Sequence, residues 1–125
     1  MKKLLAPFTL IAGLLIGSTT LFAHHGSSVV YDPEQSITVS GVVTDFQFIN
    51  PHVLIFFEVE KADGIKVVWS AGLTNPIRLA RNDGWTRNLF KAGDQVTITG
   101  SPARSGAPSL WVEMVLNGQG EELLN

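Results

Sequence analysis

The 125-residue chain has no cysteine, so disulfides are excluded and its stability must come from packing, a bound ligand or association. Nine Lys and Arg against eleven Asp and Glu give a formal net charge of −2. There is no basic surplus to hold a phosphate backbone, so nucleic acid is not expected as a partner.

Residues 1–23 carry the parts of a cleavable secretory signal peptide in order. Lys2 and Lys3 lead, an apolar stretch fills 4–17, and Ser18-Thr19-Thr20 precedes Leu21-Phe22-Ala23. Pro7 and Thr9 interrupt the stretch, which is shorter than the ~20 residues a membrane-crossing helix needs. Cleavage is expected after Ala23, with Leu21 tolerated at the third position before the cut. No cysteine is present for a lipid anchor. The expected product is a periplasmic chain that begins at His24, has no membrane anchor and is sized for one domain. Losing Lys2 and Lys3 takes its formal charge to −4.

Residues 24–35 combine Gly and Ser breakers with an Asp32-Pro33 turn signal and read as an extended amino-terminal arm. The remainder, 36–125, reads as a β-domain. In its first strand, 36–49, Ile37, Val39 and Val43 share one face, and then the apolar phase slips to Phe46 and Phe48. That slip predicts a β-bulge near Thr44, with Gly41 easing the bend. Asn50-Pro51 turns the chain into a second strand, 52–60, with Val53, Ile55, Phe57 and Val59 on one face. Ala62-Asp63-Gly64 is a hairpin connection to a third strand in which Ile65, Val67 and Trp69 alternate with Lys66, Val68 and Ser70.

The helical signal follows. Thr74-Asn75 forms the cap, Pro76 takes the first helical position, Ile77, Leu79 and Ala80 make an apolar stripe, and Gly84 ends it. Thr86 caps a further short turn. A fourth strand over 95–100 faces Val96 and Ile98 inward, and a Pro/Gly loop covers 101–109. A fifth strand over 110–116 alternates Leu110, Val112, Met114 and Leu116 with Trp111, Glu113 and Val115, before a short tail. The order β-β-β-α-β-β matches an all-β class with one short helix, a five-stranded OB-like barrel in which closure removes exposed edges. A small open sandwich is the competing arrangement.

Several pieces of this sequence form a recognisable set: His24-His25, Tyr31-Asp32-Pro33, Gly41-Val42-Val43, Asn50-Pro51-His52, Trp69 and Gly84-Trp85-Thr86-Arg87. Leu89-Phe90-Lys91-Ala92-Gly93-Asp94 and Thr99-Gly100-Ser101-Pro102-Ala103 complete it. Together they resemble an uncharacterised family, a domain of unknown function, of small exported proteins from Gram-negative bacteria. The resemblance spans the whole mature chain and implies export and domain extent, but no activity.

All three histidines stand at notable positions, His24 and His25 at the expected new terminus and His52 at the first strand-to-strand turn. After cleavage at Ala23, the free amine and ring Nδ1 of His24 can close a six-membered chelate, and His52 can supply a third nitrogen in a T-shaped set like the histidine brace of copper enzymes. Amine and imidazole nitrogens favour Cu(II), with Zn(II) and Ni(II) behind. His25 is an alternative ligand or a bystander, since neighbours in an extended arm point opposite ways. Protons compete for imidazole nitrogens below about pH 6.5 and for the amine from nearer pH 8. Solvated arm histidines and a strand-capping His52 are the bland alternative.

Hydrolysis is a poor fit. Ser27, Ser28, His25 and Asp32 lie close in sequence, but no strained nucleophile elbow or oxyanion hole accompanies them. Glu58 with Glu60 and Glu121 with Glu122 read as solvated. Trp69 is expected inside and Trp85 beneath the helix. Trp111 and Phe56 are the expected exposed pair, a weak ligand-stacking surface with Arg87 nearby. Arg78, Arg81 and Arg87 otherwise read as a solvated helix face.

Two functions remain open. One is a non-enzymatic metal-binding domain, copper first, using His24 with His25 and His52 as the further candidate ligands. The other is a metal-free module for a small ligand or an envelope protein.

Overall fold

The structure is a computed structural model that describes residues 26–124. Its strands are β1 (Ile37–Gln47), β2 (Leu54–Glu60), β3 (Lys66–Gly72), β4 (Gln95–Pro102) and β5 (Ser109–Asn117), with helix α1 (Pro76–Asp83) between β3 and β4. They close into a barrel in the order β1-β2-β3-β5-β4. All pairings are antiparallel except β3 with β5. The expected barrel and element order are present, and the short β3–β5 pairing over residues 70–72 and 109–111 closes the sheet.

The phase slip in β1 is a bulge where expected. Val43 faces Phe57 and Asp45 faces Phe56, so Thr44 is the extra residue. Val43 points inward before it, and Phe46 and Phe48 pack on the core after it. Gly41 has a sharper reason than easing a bend: a Cβ there would lie 2.5 Å from the Glu58 carbonyl oxygen. Only glycine permits so close an approach of two strands.

A second bulge corrects the strict alternation expected of β5. Thr99 pairs with Met114 but Gly100 with Val112, which leaves Glu113 as the inserted residue. Beyond it the phase flips, and Val115 is fully buried while Met114 and Leu116 are only partly covered. The flip is made possible by Gly100, whose Cβ would fall 2.0 Å from the Trp111 carbonyl oxygen. Glu113 then reaches over the outer surface, accepting hydrogen bonds from Ser101 Oγ at 2.9 Å and Ser36 Oγ at 3.0 Å.

The helix begins and ends as its signals require. Asn75 Oδ1 accepts from the Arg78 amide at 2.9 Å, and Gly84 adopts φ +70° at the carboxyl end. Its stripe is narrower than expected. Pro76 and Leu79 are buried, whereas Ile77 is 57% exposed and Ala80 is also exposed. Eight residues make only two turns, too short for a wide apolar face against a barrel end already plugged by Leu79, Trp85 and Phe90. Ile65, expected on the inner face of the third strand, is likewise exposed because the strand starts one residue later.

The tail is part of the fold. Glu122 bridges to Leu116, Leu123 N–H donates to the Val115 carbonyl, and the buried Trp85 indole N–H donates to the Leu123 carbonyl. Leu123 and Leu124 pack on the core.

Replacing Gly100 with Ala forces the β4–β5 pair apart at the bulge. Strain of this kind costs about 1–3 kcal/mol. Urea unfolding should show a lowered midpoint for Gly100→Ala and no comparable loss for Gly118→Ala, whose added Cβ would meet only Gln95, at an ordinary contact distance of 3.5 Å.

Candidate functional site

The outer face of β2, β3 and β5 is built by alternation. Residues whose neighbours point into the core, namely Leu54, Phe56, Ser70, Gly72, Ser109 and Trp111, line this face, paired Leu54 with Gly72, Phe56 with Ser70, Ser70 with Ser109 and Gly72 with Trp111. Phe56 and Trp111, expected as the exposed pair, both lie here and are half-buried.

Trp111 is the centre of this face. Gly72 makes room for it, since a Cβ there would come within 3.1 Å of the indole ring. The His52 ring meets the indole edge-on, with centroids 5.3 Å apart and planes at 87°. Tyr31 approaches the same indole at 5.9 Å and 42°. Tilted and edge-to-face contacts of this kind suit the ring quadrupoles. The Tyr31 hydroxyl pairs with Ser109 Oγ at 3.1 Å, and Ser70 Oγ donates to the same Ser109 oxygen at 2.9 Å.

His52 is exposed in the β1–β2 loop, after the cis Asn50-Pro51 peptide. Among the described residues, neither of its ring nitrogens makes a hydrogen bond. His24 and His25 lie outside the described residues. No three His, Cys, Asp or Glu side chains among the described residues are grouped to hold a metal ion.

From Gly26 on, the arm, expected to be extended, includes a short turn and is docked. Ser27–Val29 form a 3-10 turn, closed by Val29 N–H to Gly26 O and Val30 N–H to Ser27 O. Tyr31 bridges to Ala103, and Asp32 N–H donates to the Pro102 carbonyl at 2.9 Å. Arg104, in the β4–β5 loop, holds the arm at three places: its amide to Val30 O at 2.9 Å, its Nε to Ser28 O at 3.2 Å, and its guanidinium 3.4 Å from the Asp32 carboxylate. The arm therefore meets the barrel at Trp111, through Tyr31.

Arg87 is exposed in the connection after α1. A groove of about 310 Å³ beside Trp111 takes its arginine from α1 instead, as Arg78, with Asn82, Asp83 and Glu113 at its rim. Sequence reasoning missed Tyr31, Gly72, Ser109 and Arg104 as site residues. The Tyr31-Asp32-Pro33 run was the one available signal, and it read only as a motif.

A family model described as "Family of unknown function (DUF6152)" matches residues 12–110. The chain belongs to this family. The span includes the Asn-Pro-His, Gly-Trp-Thr-Arg and Thr-Gly-Ser-Pro-Ala runs and the whole docked arm of this DUF6152 protein, and it stops at Leu110, before Trp111. Nothing among curated proteins matches the chain. Among solved structures it is similar to the mitochondrial single-stranded DNA binding protein Rim1 from S. cerevisiae. The two chains are 10% identical with a TM-score of 0.50, and the likeness covers 67% of this chain and 92% of that one. It extends to the fold alone, and it fits an OB-like barrel. No helix among the described residues is long and apolar enough to cross a membrane.

One of the arm's contacts is acid-sensitive, the pairing of the Asp32 carboxylate with Arg104. Hydrogen bonds from the Gln35 side chain and the Glu34 amide, and then the Arg104 charge, hold its carboxyl below the usual carboxylate range of about 3.8. A depressed value in the docked form means that the docking contribution is complete above the free-arm value and is lost as pH falls through the docked one. NMR of the Tyr31 ring should show the arm loosening, without full release, as pH falls through the depressed Asp32 value in the wild type. Asp32→Asn should remove this pH dependence; a variant that titrates unchanged would assign the transition elsewhere.

Proposed function

We propose that this is an exported, periplasmic and non-enzymatic domain that binds a metal ion, copper first, between its mature amino terminus and His52. In this reading cleavage after Ala23 frees the His24 amine, which binds together with the His24 ring Nδ1, while His52 supplies a further imidazole and His25 is the alternative arm ligand. The observation that carries it is the common seat of arm and loop: Tyr31 of the arm and His52 of the β1–β2 loop rest on the same indole, Trp111. His52 supports the reading because its ring is oriented by an edge-on contact that leaves its nitrogens available. An imidazole held in position loses less rotamer freedom on binding a metal. Carriage, buffering or delivery of the ion follows, since two or three nitrogens on a barrel rim form a binding site without a substrate groove of their own.

A second reading is favoured by the half-buried Phe56 and Trp111 on the outer face and by the groove beside Arg78. There the same face binds a small ligand or an envelope protein without metal. Nucleic acid is not proposed as that partner, because the mature chain would carry a formal charge of −4.

Mass spectrometry of the exported protein should give a mature start at His24. Competition titration of that protein with Cu(II) should give tight one-to-one binding, weakened at least tenfold, about 1.4 kcal/mol, by His24→Ala and less by His52→Ala. A different mature start, or equal affinity in wild type and His24→Ala, would remove the amino-terminal chelate and leave the metal-free reading.

A further inference from the structure

Two grooves on the barrel surface differ in what their cations do. The larger, about 560 Å³, runs along β1 and β4, and its Lys66 ammonium is tied to the Glu58 carboxylate at 2.9 Å. No aromatic ring lines it. The smaller, about 310 Å³, lies between α1 and β5 and takes in one flank of Trp111. Leu73 and Leu79, both buried, give it an apolar floor. Arg78 stands at its edge, exposed, and among the described residues its guanidinium makes no ion pair or hydrogen bond. The side chains of Thr74 and Asn82 line the same groove and are also without hydrogen bonds among the described residues.

We propose that this groove is a binding site for a small monocarboxylate with a flat apolar body, an aryl-alkanoate, whose ring lies against Trp111 and whose carboxylate pairs with Arg78. This deepens the metal-free reading above and rests on it. Size selects a short ligand: sites for drug-sized molecules span about 300–1,000 Å³, so a groove at the bottom of that range holds one ring and a short chain but not a nucleotide or a lipid. The indole and the leucines suit the ring, since offset or edge contacts with Trp111 add to the burial of apolar area. A guanidinium matches a carboxylate bidentately, and such charge-assisted bonds are stronger than neutral ones. The rim sets the charge. Glu113, which accepts from Ser36 and Ser101, and Asp83, which has a partner of its own, both stand there. Their negative charges repel a second anionic group, which disfavours dicarboxylates and phosphate dianions. Thr74 and Asn82 supply neutral hydrogen-bonding groups without adding charge.

The test uses the exported protein, isotope-labelled, with phenylpropionate as the probe, phenylpropionamide as its neutral counterpart and phenylsuccinate as the dianion. NMR titration reads both affinity and location. Phenylpropionate should give saturable shifts at the Trp111 indole N–H and at the Leu73, Thr74 and Val112 amides. The amide probe and Arg78→Gln should each weaken binding about tenfold, Arg78→Lys should recover part of the loss, and phenylsuccinate should bind more weakly than phenylpropionate. Unfolding midpoints of both variants should match the wild type, because Arg78 is exposed. Equal affinity for acid and amide, or for wild type and Arg78→Gln, overturns the carboxylate assignment and leaves Trp111 as a ligand seat. Phenylsuccinate binding as tightly as phenylpropionate overturns the limit to one charge. A folded wild type with no saturable shift at Trp111 from either the acid or the amide overturns the groove, and with it the small-ligand form of the metal-free reading.

Discussion

The packing of Trp111 over Gly72 is the contact on which the rim of this barrel depends. The indole lies this close because the parallel pairing of β3 with β5 sets residues 72 and 111 side by side and because position 72 has no Cβ, which would come within 3.1 Å and push the ring back by a few tenths of an ångström. The bulge that begins two residues later belongs to the same arrangement. It lets β5 place Leu110 inside before the bulge and Val115 inside after it, with Trp111 outside. Gly100 permits the bulge by accepting a carbonyl where a side chain would clash. Two glycines on two strands thus place one tryptophan, and the tryptophan seats both Tyr31 and His52.

From that seat the rest follows in order of distance from the core. The barrel interior is closed by Phe57, Ile55, Ile98, Leu110 and Val115, and plugged by Leu79 and Trp85 at the helix end. The rim carries an exposed histidine and an arm held by polar bonds and by the Tyr31–Trp111 contact. A rigid barrel that presents adaptable loops is a common division of labour, because binding groups placed on loops still inherit their positions from the strands that hold them. Here the arm gains its position from Arg104 and Asp32, and the loop histidine from Trp111.

What the sequence made readable depended on how contrasted its two faces are. In β1 the inward set switches from Val43 to Phe46 with Thr44 and Asp45 between, so the bulge shows as a broken alternation. In β5 nearly every position is apolar, Leu110, Trp111, Val112, Met114, Val115 and Leu116, and an unbroken alternation fits those letters as well as the bulged one does. The helix was marked at both ends by Asn75, Pro76 and Gly84, but its inward stripe was not, since Ile77 is apolar and exposed. The arm's docking had almost no sequence signal because its acceptors are main-chain carbonyls, which every residue carries. Phe56 and Trp111 could be placed on the outer face by phase alone. Their neighbours Tyr31, Ser109 and Arg104 come from distant parts of the chain, and only the closed barrel brings them together.

The central claim is that one ion is shared by the amino terminus and His52. Pulsed Cu(II) EPR of the mature protein loaded with one equivalent of copper tests it most directly, because remote imidazole nitrogens modulate the echo and can be assigned by substitution. The modulation should weaken when His52 becomes Ala, and the spectrum should change when one extra residue precedes His24 and displaces the free amine. Spectra that are the same in the wild type and both variants would contradict a shared site.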